Sequence, residues 1–177
     1  MCSSGGSKPS SPPTTATGCS GGRPLHCQEM PMSCGIASTR MLIDSLKGRD
    51  VPERDLRAQS QNYPGAYTDA NGTRMDNLTS LLRANGVANA SQPKSGQSYD
   101  DLQRATAAGN PAIIHFNNPG GGGHFMVLDG VRTNPDGTRT FIVRDPWCGG
   151  GPGGKREMSE ADMVNRGFSK WAVTTNP

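Results

Sequence analysis

Apolar residues change their spacing once along this chain, and that change constrains the fold more than any other feature. Between residues 34 and 108 they recur every three to four positions, which is typical of helices with one buried face. From residue 111 onward, short runs rich in Ile, Val and Phe are separated by turn residues and predict β-strands. Helices followed by strands favour an α+β fold with a segregated antiparallel sheet, rather than alternating strand–helix–strand units.

Caps and turns set the boundaries of the elements. Helices are predicted over residues 34–47, 52–60, 73–85, 98–108 and 159–166. Strands are predicted over residues 111–116, 124–131, 139–145 and 170–173. Ser98 and Asp101 form a short capping box at the start of the fourth helix. The turn sequence Asn134-Pro135-Asp136-Gly137 separates the second and third strands, so we expect these two strands to form an antiparallel hairpin.

The first 22 residues differ in composition from the rest of the chain. Ser, Gly, Pro and Thr fill 17 of these 22 positions, and such a segment buries too little apolar surface to offset the entropy of ordering it. We therefore expect residues 1–22 to be a disordered linker and residues 23–177 to form the folded domain. The whole chain has 177 residues, a length typical of a single domain.

Charge and hydropathy exclude several classes of partner. The chain has 18 basic and 15 acidic side chains and a formal charge of +3, with no lysine or arginine cluster. We therefore expect no nucleic-acid partner and no membrane partner. No apolar run approaches the roughly 18 residues that span a bilayer. The amino terminus also lacks the charged-then-apolar layout of a secretory signal peptide.

A cysteine at a helix start is the first candidate for chemistry. The chain has five cysteines but no close Cys-x-x-Cys pair, so neither a zinc ribbon nor a thioredoxin motif is indicated. Cys34 begins the first predicted helix, where unpaired backbone N–H groups and the helix dipole favour a thiolate. Gln28 lies six residues earlier, and its amide together with the Cys34 backbone N–H would form an oxyanion hole. Gly35 leaves space for a substrate carbonyl to approach.

A histidine and a carboxylate complete the candidate site. His124 follows a glycine run that ends at Gly123 and begins a predicted strand, while Asp145 ends the next strand. In a hairpin the start of one strand neighbours the end of the next, so we expect His124 and Asp145 to lie side by side. A carboxylate in that position orients the imidazole and favours its protonated form. Trp147 is expected to cover their hydrogen bond from water.

Other residues fit catalysis or metal binding less well. His26 has no paired acid in the sequence, and His115 sits inside a strand beside two isoleucines, as a structural histidine does. A zinc site built from these cysteines and histidines (Cys27, Cys34, His26 and His124) matches no ligand spacing typical of zinc. We expect no metal at the site.

Two further features leave the chemistry unchanged. Cys27 and Cys148 flank candidate residues, and the sequence leaves open whether they form a disulfide. The glycine runs at residues 120–123 and 149–154 lack the Lys-Ser/Thr pair of a phosphate-binding loop and begin no helix. We therefore expect no nucleotide site and no cofactor.

Taken together, the motifs resemble those of the papain-like cysteine peptidases. The series is Gln28, then Cys34-Gly35 at a helix start, His124-Phe125 on a strand, and Asp145-Pro146-Trp147. The acid–x–Trp spacing is similar to papain's Asn-Ser-Trp. The compact segments Gly-His-Phe-Met-Val-Leu-Asp-Gly-Val and Val-Arg-Asp-Pro-Trp are closer to the bacterial branch. That branch contains the double-glycine leader peptidases and the papain-fold domains of effectors and toxins. The resemblance covers roughly residues 27–147.

This resemblance implies a fold and a set of roles. The fold would be papain-like, with a nucleophile at a helix amino terminus and an antiparallel sheet that carries histidine and aspartate. Cys34 would be the nucleophile, His124 the general base and then acid, Asp145 the orienting acid, and Gln28 an oxyanion donor. The residues expected to border the substrate are Gly35, Gly123 and Trp147.

The implied function is a cysteine peptidase that cleaves a protein or peptide through a thioester. The chain shows neither a transporter domain nor a signal peptide. The resemblance therefore points to a bacterial effector or toxin domain, secreted by a dedicated system or delivered into a target cell. A cognate immunity or inhibitor protein is an expected partner. Two alternatives remain open: a glutamine deamidase or transglutaminase with the same triad, and a non-catalytic papain-like binding module.

Overall fold

A computed structural model describes residues 17–20, 22–148 and 154–177 of the chain. The helices in these ranges are α1 (Cys34–Lys47), α2 (Glu53–Ser60), α3 (Met75–Ala84), α4 (Tyr99–Thr106) and α5 (Glu160–Arg166). The strands in these ranges are β1 (Thr17–Ser20), β2 (Arg23–His26), β3 (Ala112–Asn117), β4 (Gly123–Thr133), β5 (Arg139–Asp145), β6 (Gly154–Ser159) and β7 (Phe168–Val173). Helices dominate the first half and strands the second, as the α+β prediction requires.

The predicted helices are present with small differences at their ends. α1 has the bounds expected from its apolar repeat and ends at Gly48, whose φ of 62° lies in the left-handed region that glycine adopts readily. The capping box at Ser98 is confirmed, since its side chain accepts from the Asp101 backbone and the Asp101 carboxylate accepts from the Ser98 backbone. Local capping signals therefore predicted these helix boundaries well.

Five strands form one antiparallel sheet in the order β6-β5-β4-β3-β7. The predicted hairpin is β4–β5, and Thr133 pairs with Arg139 next to its turn. β6 was not predicted, because its sequence GKREMS carries charged residues where a half-buried strand has apolar ones. It lies at the edge of the sheet, where charged side chains discourage pairing with other chains. β7 begins at Phe168, earlier than the predicted Lys170.

Both faces of this sheet are covered, which explains the almost continuous apolar runs of β3 and β4. Ile113 and Val127 pack against helices α1 to α3 on one face. Ile114 and Leu128, one position further along each strand, pack with α4 and α5 on the other. Successive side chains of a strand point to opposite faces, so each strand needs apolar residues at consecutive positions.

Part of the sequence prediction lies outside the described residues. This holds for most of the predicted linker, residues 1–22, and for residues 149–153 of the second glycine run. Within the linker the structure describes β1, which pairs antiparallel with β2. The boundary between a disordered linker and the folded domain at residue 23 stays a prediction. None of the described helices combines the length and the apolar character needed to cross a bilayer.

The buried side chain of Arg144 joins the two strands of the hairpin to each other and to the amino-terminal half of the domain. Arg144 of β5 is fully buried, and its Nε and Nη2 donate to both carboxylate oxygens of Asp129 at 2.8 and 2.7 Å. Its Nη1 donates to the Pro24 carbonyl at 2.5 Å and to Ser45 Oγ at 3.0 Å. The guanidinium is therefore satisfied by groups from β4, β2 and α1, and it holds the end of β5 in place.

Replacing Arg144 with leucine will destabilise the domain strongly. The substitution leaves the nearly buried Asp129 carboxylate with Arg23 as its remaining cationic partner. We expect the free energy of unfolding to fall by about 3 kcal/mol, because breaking a buried ion pair by removing one partner is costly. Urea denaturation of the purified variants measures the change.

Arg132→Leu is the matched control for this substitution. It breaks the exposed ion pair between Arg132 and Glu157 on the same sheet and is expected to change stability far less. Equal losses for the two variants would show that the buried pair has no special role.

Candidate active site

Cys34 opens α1 and is buried, with 7% of its surface exposed. Ser33 precedes the helix without capping it, and its hydroxyl instead donates to the Met30 carbonyl at 3.0 Å, which closes a tight turn. Among the residues that the structure describes, none accepts a hydrogen bond from the Cys34 backbone N–H. The first donor of the helix is therefore available to an anion formed beside the sulfur.

The β4–β5 hairpin brings His124 to Asp145. The register pairs Val127 with Arg144, so the start of β4 lies beside the end of β5. His124 Nε2 lies 2.7 Å from Asp145 Oδ1, and both residues are buried. The Cys34 side chain also acts on the His124 ring and favours its protonated form, and Nδ1 is the ring nitrogen that Asp145 does not occupy. Cys34 and Asp145 thus both interact with the one imidazole.

The environment of His124 favours the protonated ring. Burial lowers the pKa of His124, but the hydrogen bond to Asp145 and the interaction with Cys34 outweigh burial and raise it to about 9. A thiolate–imidazolium pair requires a ring that keeps its proton above neutral pH beside the sulfur. The electrostatics of the site therefore suit a nucleophilic cysteine.

Two further groups hold the carboxylate in place. The Trp147 backbone N–H donates to Asp145 Oδ1 at 3.0 Å, and Arg156 Nη2 lies 3.3 Å from Oδ2. Trp147 is 44% exposed, and its hydrogen bond to the acid is made by its backbone N–H. Arg156 lies on β6, the strand that the sequence pattern did not reveal, and so this second support of the acid was missed.

The loop before the nucleophile is tied to the segment after the acid. A disulfide joins Cys27 to Cys148 across a sequence separation of 121 residues. Beside it, the Gln28 backbone N–H donates to the Pro146 carbonyl at 2.9 Å. The pairing that the sequence left open therefore links the two loops that carry the catalytic candidates.

The Gln28 side chain is engaged by its own loop. Its Nε2 donates to the carbonyls of Met30 and Pro31, each at 2.9 Å. Its Oε1 is buried without a partner among the described residues. An oxyanion can therefore receive a hydrogen bond from this amide only after the hydrogen bond to one of these two carbonyls has broken.

The two candidate glycines have different steric reasons to be glycine. A β-carbon on Gly35 would lie 3.1 Å from carbons of Leu78 and Phe125, so this buried residue lets α1 pack closely on α3 and β4. This packing explains Gly35 without a substrate. Gly123 borders the cleft described next, and a β-carbon there would overlap the His115 ring.

A cleft of about 610 Å³ opens at Cys34. It is lined by Met32, Cys34, the segment 70–76, Pro93, His115, Gly122, Gly123, Phe125 and Trp171. Sequence analysis did not predict the segment 70–76, because it carries no chemical motif. His115 was interpreted as structural, although its place opposite Phe125 puts it on the same sheet face as Cys34.

Among the described residues, one cluster of possible metal ligands is found, and none of its members lines this cleft. His26, Asp44 and Asp50 place ligand atoms within 4.8 Å of one another. His26 Nε2 lies 2.8 Å from Asp44, an acid that the sequence did not pair with it. Arg40 donates to both oxygens of Asp50 at 2.6 and 2.9 Å. A positively charged guanidinium therefore already pairs with the carboxylate of this cluster. The alternative zinc set would need Cys27, which is bonded to Cys148.

The model of the Peptidase C39-like family matches residues 23–176. The chain belongs to this family. A crystal structure described as a C39-like peptidase from Bacillus anthracis is similar, with a TM-score of 0.58 and 17% identity over 85% of this chain and 92% of that chain. The fold of the Pseudomonas avirulence protein AvrPphB is less similar, with a TM-score of 0.37 and 15% identity over 80% and 89%. No curated protein matches significantly. The predicted papain-like α+β fold is thereby confirmed.

The raised pKa of His124 makes the stability of this C39-like domain depend on pH. The folded pKa of about 9 lies above the ordinary value of 6.5, so the stabilisation is complete below pH 6.5 and is lost as the pH rises through about 9. We expect the stability difference between wild type and His124→Gln to shrink by up to about 3 kcal/mol over this range, since one pKa unit is worth ~1.4 kcal/mol. Urea denaturation at a series of pH values measures it, and a constant difference would contradict the expectation.

Removing the disulfide will destabilise the C39-like domain. Closing a long loop restricts the unfolded chain, and loss of a native disulfide costs about 2–5 kcal/mol. We expect this loss in the double variant Cys27→Ala/Cys148→Ala, measured by urea denaturation. A thiol reductant should lower wild type to the level of the variant and leave the variant unchanged. An equal effect of the reductant on both proteins would assign the stabilisation elsewhere.

Proposed function

We propose that this protein is a cysteine peptidase that cleaves a protein or peptide backbone with Cys34, His124 and Asp145. The observation that carries the proposal is one imidazole that is hydrogen-bonded to Asp145 and interacts with Cys34, a residue that lines a cleft. A cysteine buried only for packing requires neither an imidazole partner nor a cleft. Membership of the C39-like family supports the same class of reaction.

The reaction begins with the Cys34 thiolate beside the protonated His124. The sulfur attacks the carbonyl carbon of the substrate, a sulfur–carbon bond forms, and the carbonyl π electrons move to the oxygen. The Cys34 backbone N–H donates to this oxyanion. The Gln28 amide becomes the second donor by exchanging one of its two loop carbonyls for the oxyanion.

Collapse of this intermediate expels the amine. His124 gives its Nδ1 proton to the leaving nitrogen as the carbon–nitrogen bond breaks, and a thioester remains. His124 then removes a proton from water, which attacks the thioester and releases the thiolate. Asp145 orients the ring through Nε2 at 2.7 Å and stabilises each imidazolium that forms.

The disulfide supports a location outside the cytosol. Cytosolic reductants keep thiols reduced, whereas secreted proteins retain disulfides. The Cys27–Cys148 bond joins the two loops of the proposed site, so the assembled site suits an oxidising compartment. Within the effector or toxin hypothesis this favours a secreted peptidase that acts on a protein substrate, with an inhibitor protein that protects the producing cell.

Substitutions of Cys34 and Gln28 test the reaction. A proteome-derived peptide library is incubated with each variant, and mass spectrometry detects new peptide termini. Cys34→Ala is expected to produce none. Gln28→Met keeps the side-chain volume but lacks the donors, and it is expected to lower kcat by about 10²–10³-fold, as does removal of one oxyanion donor elsewhere.

Alkylation of Cys34 by iodoacetamide is the matched control. Displacement of iodide creates no oxyanion, so Gln28→Met should be alkylated at the wild-type rate if Gln28 acts on the oxyanion. A parallel loss of alkylation and cleavage would show instead that Gln28 only shapes the loop.

The same spectra separate the other reaction classes. New termini support a peptidase, whereas a gain of about one mass unit at glutamine without cleavage indicates a deamidase. Crosslinked peptides indicate a transglutaminase. A folded wild-type protein whose Cys34 resists alkylation would indicate a non-catalytic binding module.

A further inference from the structure

His115 borders the cleft beside the proposed triad but takes no part in it. It lies on β3 opposite Phe125, with the two ring centroids 5.0 Å apart. Phe125 follows His124 on β4, so the two histidines lie on adjacent strands. Burial, together with the charge of His124, lowers the pKa of His115. The His115 ring is therefore a neutral imidazole at the wall of the cleft.

A bulge in β7 faces this residue. The neighbours of His115 on β3 are paired with β7: Ile114 with Ala172, and Phe116 with Phe168. Between these pairs, the single residue His115 faces the three residues 169–171 of β7. Lys170, in the middle of the bulge, has a φ of 64°, which is strained for a residue with a β-carbon. Bulges beside active sites re-aim side chains. This one places Ser169 on the His115 ring and Trp171 in the cleft lining.

Ser169 determines which nitrogen of His115 carries the hydrogen. The Ser169 hydroxyl donates to the His115 backbone carbonyl at 2.9 Å. Its oxygen also lies 2.8 Å from His115 Nδ1. The tautomer that satisfies both contacts carries the hydrogen on Nδ1 and leaves a lone pair on Nε2.

That lone pair is unused within the protein. Among the described residues, none donates a hydrogen bond to His115 Nε2, and this atom is not sealed from solvent. Nε2 lies against Gly123, the residue immediately before His124, where a β-carbon would overlap the ring. Because Gly123 has no side chain, the His115 ring can lie against it, with Nε2 directly beside the segment that carries His124.

We propose that His115 Nε2 is a specificity-determining acceptor, which receives a hydrogen bond from a backbone N–H of the substrate next to the scissile bond. The inference rests on the proposed function, because Cys34 sets the position of that bond. An extended peptide rises about 3.4 Å per residue and has a backbone N–H at each one. Cys34 and His115 line the same cleft, so a peptide bound in it passes both residues. A substrate with proline or an N-methylated residue at this position leaves the acceptor unpaired and is expected to react more slowly.

Peptidyl chloromethyl ketones test the inference without a known substrate. The Cys34 thiolate displaces chloride, so a sulfur–carbon bond forms as the carbon–chlorine bond breaks and chloride leaves with the electron pair. Acetyl-dipeptidyl reagents are prepared with normal amides and with each amide N-methylated in turn. Mass spectrometry follows the rate at which each reagent labels Cys34.

Two variants at His115 distinguish the role of its Nε2 from that of its Nδ1. His115→Asn keeps a polar atom near the position of Nδ1, toward Ser169, but has none at Nε2, whereas His115→Gln places its amide oxygen near Nε2. N-methylation at one of the amides is expected to slow wild type and His115→Gln by about tenfold more than His115→Asn, which is the usual effect of one hydrogen bond. A penalty that is the same in all three proteins at both amides would overturn the proposal.

Iodoacetamide distinguishes the two levels of failure. Suppose that Cys34 reacts with iodoacetamide and with the peptidyl reagents, but N-methylation slows labelling equally in wild type and in both His115 variants. The acceptor role of His115 is then wrong, and the peptidase proposal stands. If Cys34 of folded wild type reacts with neither reagent, the proposed function itself fails. Thermal unfolding of each variant shows whether the domain is intact.

Discussion

The hydrogen bond between His124 Nε2 and Asp145 Oδ1 is the interaction on which the proposed site depends. It forms because an antiparallel hairpin places the start of β4 beside the end of β5. The residue before Asp145, the fully buried Arg144, pairs with Asp129 on the other strand of this hairpin and connects the hairpin to the amino-terminal half. The orientation of the imidazole and the cohesion of the domain therefore share one structural support.

The nucleophile reaches this hairpin by a different route. Its loop is joined to the segment after the acid by the Cys27–Cys148 disulfide and a parallel backbone hydrogen bond. Close packing of α1 at Gly35 then carries the sulfur to the sheet. A covalent crosslink limits how far the two loops can separate, while packing sets the final position of Cys34. This division explains how three distant segments of one chain converge on a single site.

The walls of the cleft come from segments without catalytic motifs. The segment 70–76 contributes the largest share of the lining, and the bulge in β7 contributes Trp171 and the support of His115. Chemistry and recognition thus have separate structural origins in this domain. The proposed triad depends on helix and strand ends, whereas the cleft walls depend on irregular backbone, which local sequence patterns describe poorly.

Local signals in the sequence determined the helix starts, the capping box at Ser98 and the β4–β5 hairpin, and from them the candidate residues Cys34, His124 and Asp145. These features depend on backbone preferences and on spacings within one or two neighbouring elements. Tertiary structure alone decided the Cys27–Cys148 disulfide and the place of His115 in the cleft. Such contacts join residues far apart in the chain, and only the packing of whole layers sets the distances between them.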